Sequence, residues 1–214
     1  MAIDSIRISF VAEVPLGVKS FREYKQPRKI YAIETVDSAA HPGFDVVFGE
    51  ATYESSAVVS IKQDNISISW QRNQVHVLCP LESRLDVLTA LADFGFYEGE
   101  LHRLESDVEV QEPLAEKDVE FAHRINHRNR EHWSRFGETI ERFTRDRLIY
   151  ARLCSQLAFP SISLSPKSRQ IVSKLLRECN IEDRLEMYSD RLEALEELYE
   201  GANDRVADYR WYRG

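Results

Sequence analysis

Residues 180–211, NIEDRLEMYSDRLEALEELYEGANDRVADYRW, set apolar and small side chains at Ile181, Leu185, Tyr188, Leu192, Leu195, Tyr199, Ala202, Val206 and Tyr209. The steps alternate four and three along the whole run. On a helix of 3.6 residues per turn this spacing makes one continuous apolar edge. An edge of that length is stable only against another surface, which the rest of the chain or a second chain must supply. Each large side chain buried there contributes roughly 1.5–3 kcal/mol. Ile181, Leu185, Tyr188, Leu192, Leu195, Tyr199 and Val206 are therefore read as an interaction seam.

Charge narrows what lies opposite. Residues 121–155 hold eight arginines and four acidic residues, a net of +4, whereas residues 178–210 hold four arginines and eleven acidic residues, a net of −7. A basic and an acidic helix joined by a short helical connector read as antiparallel neighbours, a helical hairpin of coiled-coil type. Exposed ion pairs contribute less than about 1 kcal/mol each, so charge selects the partner and burial supplies the stability. Pairing of the stripe with its own copy in a homodimer ranks second, because the acidic flanks would repel.

The first 80 residues have another period. Ile6, Ile8 and Phe10 alternate with Arg7 and Ser9, KIYAIETV (29–36) is rich in strand formers, and DVVFGEATY (45–53) adds a further strand. AVVSIK, NISISW and QVHVLC then follow closely, separated by turn-prone Asp64 and Asn73, as a three-strand antiparallel meander ending at Pro80. The fold class expected is α+β: an N-terminal antiparallel β-sheet over residues 1–80, then a helical domain over 81–214. The helices are expected at about 82–109, 113–157, 166–179 and 181–210. Gly95 and Gly99 suggest a break or close crossing, VEVQEPLAEKD (108–118) a connection, and Pro113 the first turn of the next helix. Gly137 is the expected bend of the long second helix. Ser165 with Pro166 reads as an N-cap and first helical residue, and Asn180 with Asp183 as the cap of the last helix.

Composition excludes several classes. No apolar run approaches the ~20 residues of a membrane span, and the start, MAIDSIR, lacks the basic and apolar segments of a signal peptide. Three widely spaced cysteines, Cys79, Cys154 and Cys179, form neither a disulfide framework nor a zinc motif, which fits a reducing, cytoplasmic setting. The net charge of −8 and the absence of a recognised nucleic-acid-binding motif make nucleic acid an unfavoured partner.

The stretch EKDVEFAHRINHRNREHW (116–133) carries the strongest chemical suggestion. Glu120, His123, His127 and Glu131 share one helical face, and Glu98, His102 and Glu105 form a similar line on the preceding helix. If the two lines converge they supply a metal site, and a metal-dependent enzyme is the alternative function. Glu-x-x-His occurs once, however, where di-iron bundles need it twice with two further glutamates. The simpler reading is a solvated face, with no cofactor and no catalytic residue assigned. Arg124, Arg128, Arg135, Arg142 and Arg145 could hold an anion or nucleic acid, yet an acidic helix of the same chain is the more economical partner.

Ile181, Arg184, Arg191, Leu192, Leu195, Glu197 and Leu198 also match a pattern of Ile-x-x-Arg, a second Arg-Leu seven residues on, then Leu and Glu-Leu. Here the chain resembles the soluble region of the "required for meiotic nuclear division" family, over roughly residues 160–205, with a similar order of β-rich region and long helices. The family's Asp-Thr-Pro and aromatic segment is replaced by LAFPSISL, and its C-terminal membrane helix has no counterpart before DYRWYRG. The resemblance implies a soluble relative of oligomeric scaffold or tethering proteins linked to mitochondrial translation, and no catalytic residues. The expected function is thus interaction or assembly through the helical region, with a protein partner or self-association.

Overall fold

The computed structural model describes residues 6–13, 22–24, 30–34, 43–48, 57–123, 130–158 and 164–211, with side chains of the long helices described to 118, from 137 and to 201. The fold is α+β. Among the described residues seven strands, β1 (Ile6–Val11), β2 (Arg22–Tyr24), β3 (Ile30–Glu34), β4 (Gly43–Phe48), β5 (Val58–Gln63), β6 (Ile66–Gln71) and β7 (Gln74–Leu78), form one sheet. Four helices follow: α1 (Arg84–His123), α2 (Arg130–Ala158), α3 (Pro166–Glu178) and α4 (Ile181–Trp211). The strand order is β2-β3-β1-β4-β7-β6-β5. The sheet is not purely antiparallel, as alternation alone suggested: β1 and β4 run parallel, Ile8 opposite Val46. Alternation specifies which face of a strand is apolar, and that is indifferent to strand direction.

The meander β5-β6-β7 is fully antiparallel. Its turns place Asp64 and Arg72 at positive φ, 50° and 54°. Asparagine and aspartate tolerate that region best; the arginine is stabilised by the two-residue hairpin it closes. Ile61, Ile68, Trp70, Val75 and Val77 are buried on one face with Val46 and Phe48. Phe10, Phe48 and Trp70 stack in succession at 5.1 and 5.0 Å, and Phe94 of α1 meets Trp70 edge-on at 4.9 Å. The indole Nε1 of Trp70 donates to the Arg72 carbonyl at 2.7 Å, so its burial leaves no orphaned donor.

The chain forms two compact units: the first comprises residues 1–102 and 156–182, the second 103–155 and 183–214. Helix α1 is continuous through Gly95, Gly99 and Pro113, so of the break or close crossing expected at 95–99 the break is corrected, and so is the connection at 108–118. Both glycines are buried, while Pro113 is exposed. The proline removes one donor from the ladder, and packing of the turns on either side keeps the helix intact. The chain segment at 124–129 lies outside the described residues, and α2 runs through Gly137 without interruption.

In the first unit α3 is fastened to the start of α1. Ser165 accepts from the Ser168 amide at 3.0 Å with Pro166 at the first helical position, as read from sequence. Its hydroxyl also donates to Asp86 Oδ1 at 2.7 Å, and Ser168 Oγ donates to the Asp86 carbonyl at 3.0 Å. Lys174 of α3 donates to the Lys62 carbonyl on edge strand β5, occupying an acceptor that would otherwise invite another strand. Asn180 has φ 50°, a left-handed conformation typical of a helix C-terminus rather than an N-cap, and its amide donates to the Arg177 carbonyl at 3.0 Å.

The second unit is built from three stripes of one period. On α1, Leu104, Val108, Gln111, Ala115 and Asp118 step by four and three, and all are buried. On α2, Thr139, Phe143, Asp146 and Leu153 follow the same spacing with Tyr150 half-buried. On α4, Leu185, Tyr188, Leu192, Leu195 and Tyr199 are buried within the single chain, as is Ile181 at the end of the first unit, while the side chain of Val206 lies outside the described residues. Contact register gives the directions. Glu105, Glu112 and Asp118 meet Arg184, Arg191 and Tyr199, an almost constant offset, so α4 runs parallel to α1. Phe143, Arg147 and Tyr150 meet Tyr199, Glu196 and Tyr188 in descending order, so α4 runs antiparallel to α2. The expected hairpin of α2 and α4 is one side of a three-helix arrangement.

Candidate functional site

The flanks of α4 are where sequence and structure meet most specifically. Arg184 donates from Nε and Nη2 to the two carboxylate oxygens of Glu105 at 2.8 and 2.6 Å. Arg191 does the same to Glu112 at 2.7 and 2.8 Å. Each is a bidentate fork, the geometry in which arginine and carboxylate bind most tightly. The Arg184 pair is four-fifths buried on both sides, so it is screened less than an ordinary surface pair. The hydrogen bond from Arg191 holds the Glu112 carboxyl below its usual range, and Glu112 in turn raises the Arg191 guanidinium. Glu105 and Glu112 are seven apart, as are Arg184 and Arg191, so the two clamps repeat one heptad along parallel helices. On the other flank Arg147 of α2 forks onto Glu196.

Polar groups also occupy the interior of this unit. The Tyr199 hydroxyl donates to Asp118 Oδ2 at 2.7 Å. Asp146 is buried and its carboxyl is raised, by desolvation first and by Asp107 second. Burial likewise raises the Tyr188 phenol. A buried polar pair in a core layer costs stability and disfavours every register in which its partners do not meet.

The metal candidates do not form a described site. Glu98 is fully buried on α1 and His102 only partly so, while Glu105 is engaged by Arg184. The side chains of Glu120, His123, His127 and Glu131 lie outside the described residues. Among the described residues no three His, Cys, Asp or Glu side chains gather as metal ligands. Of the arginine stripe, Arg142 and Arg145 are exposed on α2, and the side chains of Arg124, Arg128 and Arg135 lie outside the described residues.

Two sites in the first unit were not singled out from sequence. Asp93 on α1 is 3% exposed, with Oδ2 buried and accepting no hydrogen bond among the described residues. Desolvation raises its carboxyl to about 6. It borders a cavity of about 20 Å³ with Tyr97, Leu164, Arg169 and Val172, space for about one water molecule. On the opposite face of the sheet, His76 Nδ1 lies 2.7 Å from Asp45 Oδ1 in a cleft of about 210 Å³. The signal for the second site is the alternation in NISISWQRNQVHVL, which throws Ser69, Gln71, Gln74 and His76 to one side.

No family model, curated protein or solved structure matches the chain. Among the described residues no helix is long and apolar enough to cross a membrane.

Proposed function

We propose that this chain is an interaction and assembly protein of scaffold type, whose helical unit does no chemistry and works as a coiled-coil framework in the cytoplasm. The observation that carries this reading is the heptad repeat of the Arg184–Glu105 and Arg191–Glu112 clamps beside a stripe buried within one chain. A framework stiffened in this way presents fixed outer faces. On α4 the outer face is acidic: Glu186, Asp190, Glu193, Glu197 and Glu200 are all exposed. That face suits a basic protein surface. The resemblance of the Ile181–Leu198 segment to a family of scaffold or tethering proteins supports the same reading, and its two arginines are the clamp residues here.

The test is purification of the full chain from its native source with measurement of partner stoichiometry. Reversing Glu186, Asp190, Glu193 and Glu197 to lysine should release a stoichiometric protein partner while the melting temperature stays near that of the wild type. A chain that sediments as a monomer and co-purifies with no protein in stoichiometric amount would overturn the reading. The metal-dependent and anion-binding alternatives have no described geometry in their favour.

A further inference from the structure

We propose that the solvent-facing side of the sheet carries an acyl-transfer site with Ser69 as nucleophile, His76 as general base and Asp45 as the residue that orients the base. The register sets these three in one row across three neighbouring strands: Asp45 stands opposite His76, and His76 opposite Ser69. Directly opposed side chains on antiparallel strands start about 4.5–5.5 Å apart at Cβ, so Asp45, His76 and Ser69 are side-chain neighbours along the row. Their neighbours Val46, Ile68, Val75 and Val77 point into the core, so the row faces away from it.

The Asp45–His76 contact bears on the tautomer of the imidazole. An ionised carboxylate only accepts, so the 2.7 Å contact assigns the hydrogen to Nδ1 of His76. In the neutral ring Nε2 then keeps its lone pair and can accept a proton. Gln71 and Gln74 stand opposite each other one step along the same face, and both line the 210 Å³ cleft with Asp45, Ser69 and His76. Their side-chain amides are donors of the type that receives an oxyanion. Nucleophile, base, orienting carboxylate and oxyanion donors thus share one cleft, the constellation by which such chemistry is recognised irrespective of fold.

The substrate class is an activated ester of a short acyl group. Ser69 Oγ attacks the carbonyl carbon and its proton passes to His76 Nε2, while the carbonyl oxygen takes up negative charge against the Gln71 and Gln74 amides. Collapse of the tetrahedral species breaks the bond to the leaving alkoxide, which takes the proton back from His76. Acyl-Ser69 and a neutral His76 remain, and water repeats the sequence to release the acid.

The experiment treats the full chain with p-nitrophenyl acetate and follows p-nitrophenolate release, intact mass and the modified peptide. The expected result is a burst of one equivalent with a single acetyl group on Ser69. Ser69→Ala should abolish the burst, and His76→Gln should slow it about 100-fold or more, the usual contribution of a general base. Asp45→Asn should slow it as well, because the imidazole loses the group that assigns its tautomer. Acetylation confined to lysines, an unchanged burst in Ser69→Ala, an acetyl group that resides on His76, or no acetylation at all would each overturn the proposal. His76 and Asp45 are 54% and 36% exposed, so these substitutions leave the fold available for the measurement.

Discussion

Asp93 makes the stability of the first unit depend on pH in a direction that can be worked out from its surroundings. Its carboxyl is 3% exposed, and Oδ2 accepts no hydrogen bond among the described residues. Burial therefore penalises the charged form and raises the group from its ordinary 3.8 to about 6. At 1.36 kcal/mol per pH unit, the full displacement corresponds to about 3 kcal/mol. Because the folded pKa is the higher one, the folded state binds the proton more tightly than the unfolded state between pH 4 and 6. The penalty is complete above about pH 6 and vanishes below the unfolded value, so stability rises as the pH falls through this window. Between pH 7.5 and 4.5 the gain from this one group is about 2 kcal/mol. Asp93→Asn keeps the shape and removes the titration. Urea unfolding of both proteins should be followed by Trp70 fluorescence, with Trp133 and Trp211 replaced by phenylalanine. Trp70 packs against Phe94, next to Asp93 in sequence, so its emission reports on this core. The gap between wild type and variant should shift by about 2 kcal/mol in favour of the wild type on acidification. Parallel pH profiles for the two proteins would refute the reasoning, since they would show that Asp93 is hydrated or paired in solution.

Further outcomes follow from the helical unit. Leu195→Asp places a carboxylate among the buried stripe residues and should cost several kcal/mol, collapsing the unit; a monodisperse variant with near-native thermal stability would show the position to be solvated. Arg184→Glu should destabilise the unit, and adding Glu105→Arg should restore about 1 kcal/mol as a coupling in a double-mutant cycle; additive effects would mean that the fork contributes nothing. Arg184→Lys should not substitute for arginine, because an ammonium lacks the planar pair of donors; equal stability of the lysine variant and wild type would contradict this. Excess Zn²⁺ should leave the melting temperature unchanged; a gain of about 2.7 kcal/mol at a hundredfold excess over the dissociation constant, lost in His123→Ala and His127→Ala, would instead establish the metal site.

The sequence alone determined the element types and which faces are apolar. Alternation in residues 57–79 is visible because one face of the meander is buried and the other is not. The 4-3 run of α4 is visible because nearly every buried position there is apolar or aromatic. The matching run on α1 was hidden past Val108, since its buried positions are Gln111, Ala115 and Asp118, which read as surface when no partner is known. Pro113 reinforced that error, because a proline marks a helix start locally and is overridden only by tertiary packing. Direction was likewise invisible: β1 against β4, and α4 against α1, are both parallel, and an apolar pattern has the same period read either way. The sites were the least legible part. Arg184 and Arg191 stood out as a spacing, but their partners Glu105 and Glu112 lie 79 residues earlier, a distance that no local pattern spans. Asp45 and His76 are 31 residues apart and become neighbours only through the pairing of β4 with β7. Periodicity records which side of an element is buried; which elements face one another, and in what register, is decided by packing and hydrogen bonding between residues distant in the chain.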